Sequence, residues 1–530
     1  MLQVAILSLL LSLVVPGTHA ENNWDVACKG ECSYDIPDAD VSASMKIAGA
    51  SHAVSDITPA GGWTILSCKA SALTQDIRLV CNSPACSHLF EGHGAIDTLV
   101  RLPETCGAEA FARVADIRVD SDQSLPSAVR INIQPGGNSS TVYIISVDTD
   151  FASIDTAKTG PVAFTLEGYN YPVENLALTI AKRDPRELKI RNWTAFNSTN
   201  SFNLPPLNID QTFPLFTAAV SCPNFSASVS AGFSTKVHAT VSVGLIAVGT
   251  IIPPVITQFA VYGGLDGSVL ATLELDASAT GSIDTGKVSL YSTGLGGINF
   301  PGIFSLGPTF TIYGELVADL DAQLSVALDL SYIVDGAKVF YPPETQTSGG
   351  GFKPANTSLE LSVLPGVALN GKASGRIIPE VRLGLQAFGV INAAVYFDLE
   401  AGADVALDFK ASANGTVSGT GNASAGGSVD GCVDIGANFA ANVGAEGSLF
   451  GLISKSAEYT LYSNKWDLYN KCFEASGSTK AHAPPVSRIA HRAGGNAKAG
   501  LTCPTSSSVT SLQQIIDQIV TGVEAGTSKA

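Results

Sequence analysis

From Phe310 to Val334 the chain reads FTIYGELVADLDAQLSVALDLSYIV, and every even-numbered position is apolar or glycine. The odd positions carry Glu315, Asp319, Asp321, Gln323, Ser325, Asp329 and Ser331, with Tyr313, Val317, Ala327 and Ile333 as exceptions. A period of two puts successive side chains on opposite faces of an extended chain, whereas a helix would scatter them around its circumference. The alternation recurs from Ala227 to Ala247, from Ala393 to Ala413 and from Val433 to Leu449, and less cleanly from Val269 to Ala279. At about 3.3 Å per residue the first stretch would extend about 80 Å, against about 20 Å for an ordinary strand. Strands of that length must coil, bend at glycine or be broken by bulges. Residues 214–475 are therefore expected to form a large long-stranded antiparallel β-sheet, sandwich or barrel-like domain, dry on one face and wet on the other.

The first 20 residues, MLQVAILSLLLSLVVPGTHA, hold an apolar run too short to span a bilayer comfortably. Pro16 and Gly17 follow it, and Thr18 and Ala20 are the small residues a signal peptidase needs. Cleavage after Ala20 is expected. Ten cysteines, Cys28, Cys32, Cys68, Cys81, Cys86, Cys106, Cys222, Cys432, Cys472 and Cys503, make an even set suited to disulfides in an oxidising compartment. Seven N-x-S/T sequons, at Asn138, Asn192, Asn197, Asn224, Asn356, Asn414 and Asn422, fit a glycosylated extracellular protein. The net charge of -17 opposes electrostatic binding to nucleic acid or anionic lipid. No transmembrane segment is expected in the mature chain.

Six of the cysteines crowd between Cys28 and Cys106, and pairing among themselves allows fifteen connectivities. Short β-like runs such as GWTILSC, DIRLVC, TVYIISVD and PVAFTLEG predict a disulfide-bonded β-sandwich over residues 21–200. Residues 201–213, rich in Asn and Pro, read as a linker, and the basic low-complexity stretch 476–505 as a flexible one. In the tail, Leu512, Ile515, Ile516, Ile519, Val520 and Val523 fall at helical spacing, so a short amphipathic helix is expected over 506–526. The fold class is mainly β, with that helix at its end.

Catalytic signatures are missing. The sequence has no G-x-S-x-G, H-E-x-x-H, phosphate-binding loop or dinucleotide fingerprint. His88 and His93, with Glu91 and Asp97 nearby, are suitable ligand types, but an exposed disulfide-tied loop is the preferred reading over a metal site. The pairs Asp120/Asp122, Asp148/Asp150 and Asp319/Asp321 sit two apart, a spacing a glycosidase could use, yet they belong to solvated polar faces. Of the four tryptophans, Trp24, Trp63, Trp193 and Trp466, Trp63 and Trp193 are expected to be sandwich-core residues rather than sugar platforms. No catalytic residue, cofactor or metal is implied.

The segment INFPGIFSLGPTFTIYGELVADLDAQLSVALDLSYIVDGAKVFYPP, with its Gly302–Pro308 core, resembles an uncharacterised domain of large secreted fungal β-rich proteins. The resemblance covers about residues 210–475 and is weaker for the Cys-rich part. It implies a fungal secreted or wall-associated protein and supplies no catalytic residue. The expected function is a secreted, N-glycosylated, non-catalytic extracellular or cell-wall-associated structural or interaction protein, with cell-wall components as partners. The alternatives, in order, are a carrier holding an apolar small molecule or lipid between the dry faces, a carboxylate-dependent secreted enzyme, and a pore.

Overall fold

The structure, a computed structural model, describes residues 22, 24–37, 42–103, 105–108, 110–127, 129, 141–169, 206–223, 226–300, 303–320, 324–341, 349–354, 357–363, 368–388, 391–411, 429–447, 457–473, 498–503 and 513–520. Residues 1–20, Trp193 and all seven sequon asparagines lie outside these residues.

The described chain is mainly β. Its strands, numbered along the sequence, open with the hairpin β1 (Glu31–Pro37) and β2 (Ser42–Ala48). Next come β3 (Val54–Asp56), β4 (Trp63–Ser67), β5 (Gln75–Cys81), β6 (Leu99–Arg101), β7 (Phe111–Val119) and β8 (Val142–Asp148), followed by β9 (Val162–Tyr169). The long-stranded part begins with β10 (Leu207–Ser221), β11 (Ser226–Ile252) and β12 (Val255–Ala277). It continues through β13 (Thr280–Asp284), β14 (Val288–Gly294), β15 (Ile298–Phe300), β16 (Phe304–Leu320) and β17 (Leu324–Tyr341). Then come β18 (Gly349–Pro354), β19 (Thr357–Val363), β20 (Ala368–Ala387), β21 (Ile391–Ala411), β22 (Val429–Gly447), β23 (Ala457–Phe473), β24 (Lys498–Thr502) and β25 (Gln513–Val520).

Three sheets result. The first runs β1-β2-β9-β11-β12-β17-β19-β25, with β10 on β11 and β18 on β17. The second runs β23-β22-β21-β20-β16-β13-β24, with β14 and β15 on β16. A smaller sheet, β3-β6-β7-β8-β5-β4, has its own core around Trp63, Ile77, Leu79 and Ile145. Among the described strands, only β3 and β6 pair in parallel.

The alternation does what its period dictates. In β11 the odd positions from Ala227 to Ala247 are all buried, and the even ones before Gly244 are half-buried or exposed. The Phe310–Val334 ribbon does not run straight. It ends one strand at Leu320 and begins another at Leu324, and the two belong to different sheets. Both halves keep their even positions buried, because each sheet turns that side toward one shared core. Elsewhere the long strands relieve their twist at bulges. At one of these, between Leu265 and Gly267, Gly267 has φ +148° and a Cβ would sit 2.1 Å from the His238 carbonyl oxygen, so only glycine fits.

The two large sheets pack face to face. Phe397 of β21 fills the space where a Cβ on Gly263 of β12 would lie, and Leu273 of β12 does the same over Gly375 of β20. The Tyr332 hydroxyl of β17 crosses the interface and donates to the Gly402 carbonyl at 3.0 Å, while its ring lies 5.8 Å from that of Phe439. Side chains from both faces interdigitate as in a sandwich core. Each fully buried Leu, Val or Phe contributes roughly 1.5–3 kcal/mol.

Pairing crosses the expected domain boundary. β9 hydrogen-bonds to the Gly244–Ile252 end of β11, and β2 pairs with β9, so three strands of the Cys-rich region extend the first large sheet. Residues 207–213 of the expected linker are strand, in register with β11 from Leu207 opposite Ala239. Asn208, Asp210 and Thr212 lie on the wet face of an alternating strand, which composition alone does not distinguish from a linker. In the basic stretch, Lys498–Thr502 pairs with β13.

Where an amphipathic helix is expected, the described residues are a strand. Gln513–Val520 is extended and pairs antiparallel with β19, Thr357 opposite Val520. Its Ile-Ile and Ile-Val pairs suit a strand as well as a helical stripe, and the open edge of β19 supplies the ladder partners that decide between them.

The six early cysteines pair among themselves as Cys28–Cys32, Cys68–Cys106 and Cys81–Cys86. Cys222 bonds Cys503 across a separation of 281 residues, tying β24 to the end of β10. Cys432 is disulfide-bonded and stands opposite Cys472 in the β22–β23 register. No described cysteine is free.

Candidate functional site

The polar face of the second sheet is where the structure gathers charge. Antiparallel register lines up Thr311 of β16, Glu380 of β20, Asp398 of β21 and Asn442 of β22 as one cross-strand row. A second row runs Glu315, Arg376, Gly402, Asn438. Residues opposite one another on a face lie about 5 Å apart, so each row is a chain of direct neighbours.

Lys287, in the short connection between β13 and β14, brings a cation to the first row. Its Nζ lies 3.4 Å from Asp398 Oδ2 and 3.4 Å from Glu400 Oε1. Arg376 Nη1 is 3.0 Å from Glu400 Oε2 and 4.0 Å from Glu315 Oε2. Asn442 donates to Asp398 Oδ1 at 2.9 Å, Asn438 donates to Asp404 Oδ2 at 3.2 Å, and Ser374 also donates to Asp404. Arg382 pairs with Glu446 and reaches Glu380 Oε1 at 3.9 Å. Tyr396 donates to Glu458 Oε2 at 3.1 Å.

This face is far drier than a solvated sheet surface. Glu315 and Asp398 are each 1% exposed and Glu380 is 7% exposed. Burial pushes the Asp398 carboxyl up from its ordinary range, against the pull of Lys287. Burial likewise raises Glu380, with Arg382 opposing. For Lys287, burial works against the charge, but attraction to Asp398 and Glu400 outweighs it and the ammonium is held above its usual value. Burial and the adjacent Glu458 push Tyr396 up to about 12.

Two neighbouring carboxyls with raised pKa values are the raw material of general acid–base chemistry. Here, however, Asp398 shares the Lys287 ammonium with Glu400 and accepts from the Asn442 amide, and Glu380 faces Arg382, so the charge of both is spent on neighbours. The arrangement is an ionic lattice that ties β16, β20, β21 and β22 into one register. Sequence reading, from the alternation between Ala393 and Ala413, puts Asp398, Glu400 and Asp404 at the even positions of a wet face. It missed Lys287, Arg376 and Arg382, whose approach depends on register. The alternation Ser374, Arg376, Glu380, Arg382 in β20 was the available signal.

The other sequence candidates fall elsewhere. Asp120 binds Arg78 Nε at 2.5 Å, and Asp148 holds Arg113 through two bonds of 2.8 and 2.6 Å. Asp319 is exposed, and Asp321 lies outside the described residues. Trp63 is fully buried in the small sheet, as expected. His88 is buried rather than exposed, and its two ring nitrogens face serine hydroxyls, Ser51 and Ser55. Among the described residues no group of three or more His, Cys, Asp or Glu is placed to hold a metal. No helix of the described residues is long and apolar enough to cross a membrane.

The fold and this face define a long-stranded protein of two face-to-face β-sheets. Residues 256–474, from β12 to the end of β23, match the family model described as Domain of unknown function (DUF7223). No curated protein and no solved structure matches the chain.

Proposed function

We infer that the protein is a secreted, N-glycosylated extracellular structural or interaction protein of fungal origin, associated with the cell wall, in which the long-stranded sandwich is a non-catalytic scaffold. The observation that carries this reading is the way the two dry faces fill one another, with Phe397 against Gly263, Leu273 against Gly375 and Tyr332 bonded across to Gly402. Side chains that occupy the space between the sheets favour a scaffold over a carrier, whose dry faces would have to stay apart. The leader, the sequons and the disulfides support export.

Fractionation of a producing culture into medium, salt-washable wall and detergent-extracted wall tests the localisation. Recovery in a wall fraction is the expected result, and exclusive recovery as freely diffusing protein removes the wall association. Native mass spectrometry of the same material tests the scaffold. A co-purifying apolar ligand of fixed stoichiometry would replace it with the carrier.

A further inference from the structure

In the Cys-rich part of the chain, away from the ionic lattice, one histidine is held between two serines. His88 sits in a 3-10 helix, Pro84–Phe90, whose start is capped by the Ser83 hydroxyl accepting from the Ala85 amide at 3.3 Å and whose Cys86 is bonded to Cys81. The ring is 7% exposed. Its Nδ1 lies 3.0 Å from Oγ of Ser55, which is buried in β3, and its Nε2 lies 3.2 Å from Oγ of Ser51, which is exposed. The Ser51 turn is pinned from behind by Gly30, whose amide donates to the Val54 carbonyl at 3.1 Å and whose carbonyl accepts from the Gly49 amide at 2.8 Å.

We propose that Ser51 and His88 are a nucleophile and its general base, positioned by Ser55, and that they cleave carboxylic esters. A neutral imidazole has one donor and one acceptor nitrogen. With Nδ1–H donating to the buried Ser55 hydroxyl, Nε2 is left to accept from Ser51 O–H, the tautomer a base needs. This is the pattern of an activated serine: nucleophile within hydrogen-bond reach of a base, and the base oriented by a third group. Burial lowers the His88 pKa, with Lys29 reinforcing and Glu91 and a hydrogen bond to the Ser51 backbone opposing, so the ring is neutral near pH 7. The rings of His52 and His93, 5.3 Å apart, are further titratable groups within this loop cluster.

In the first step Ser51 Oγ attacks the ester carbonyl carbon and its proton passes to His88 Nε2. Collapse of the tetrahedral intermediate breaks the bond to the alcohol oxygen, which leaves with that proton. Water then attacks the acyl-serine, giving its proton to Nε2, and the carboxylic acid departs as Ser51 Oγ is reprotonated. The inference goes beyond the scaffold reading of the sandwich and does not depend on it.

The test uses the full secreted chain with a fluorophosphonate probe and with p-nitrophenyl acetate. Wild-type protein is expected to give one adduct, mapped by peptide mass spectrometry to Ser51, with a rate that falls as acid protonates one group of pKa below the ordinary histidine value. Ser51→Ala, at an exposed position, keeps the wild-type unfolding transition and loses the adduct. His88→Gln slows labelling by at least about 100-fold. Ser55→Ala slows labelling and moves the pH profile, and Ser55→Thr restores both, which a purely structural role would not do. Folded wild-type protein that gives no Ser51 adduct, or an adduct whose rate His88→Gln leaves unchanged, overturns the proposal.

Discussion

The buried ion pair between Asp56 and Arg101 is sensitive to a single substitution. Arg101 Nη2 lies 2.6 Å from Asp56 Oδ2, and the two side chains are 4% and 1% exposed. Asp56 also accepts from the Thr58 amide at 2.8 Å and the Cys28 amide at 3.2 Å, while Arg101 donates to the Val26 carbonyl at 2.8 Å and stacks 4.9 Å from the Trp24 ring. The pair therefore joins the N-terminal Cys28 turn to β3 and β6. Asp56→Ala strands a guanidinium in a dry site, which costs about 3–5 kcal/mol, and takes the acceptor from two amides. The expected loss is about 4–6 kcal/mol. With a urea slope of about 2 kcal/mol/M, the transition followed by tryptophan fluorescence moves down by about 2–3 M. Replacing both partners, as Asp56→Leu with Arg101→Met, removes the stranded charge and is expected to recover all but about 1–2 kcal/mol. A single-variant shift below about 0.5 M, or a double variant as unstable as the single, refutes the assignment of the cost to an uncompensated charge.

Three further outcomes follow from the sandwich. Gly263→Ala places a methyl 1.8 Å from Phe397 Cε1, inside a packed interface, and is expected to cost about 1–3 kcal/mol in denaturant unfolding; Phe397→Leu in the same chain should return part of it. Tyr332→Phe removes the hydrogen bond to the Gly402 carbonyl and should cost about 1–2 kcal/mol, an unchanged melting curve counting against that bond. Because burial holds Glu380 above its usual 4.5, the folded state keeps a proton there that the unfolded chain releases, so stability falls as pH rises from about 4.5 through the raised folded value. Glu380→Gln should flatten that decline in melting temperatures taken from pH 4 to 8, and an undiminished slope would place its source elsewhere.

Period-two patterning carries its own geometry. An extended chain with Ala, Val and Leu on alternate positions can bury them only on one side, so the dry faces of β11, β16, β17 and β21 were legible residue by residue. The even number of cysteines and the buried Trp63 were legible for similar local reasons. Partners in space were not. Whether Gln513–Val520 became helix or strand depended on a free edge at β19, some 150 residues earlier, because the same apolar residues satisfy both periods. The Lys287–Asp398–Glu400 cluster and the Ser51–His88–Ser55 contact each unite segments far apart in the chain, and a charge or hydroxyl has no partner until register and packing supply one. Local periodicity thus determined which side of each long strand is apolar. Tertiary structure alone decided which sheet each strand joined, where the Phe310–Val334 ribbon broke, and which polar groups were brought together, since those depend on backbone hydrogen bonds and contacts between residues that no sequence period relates.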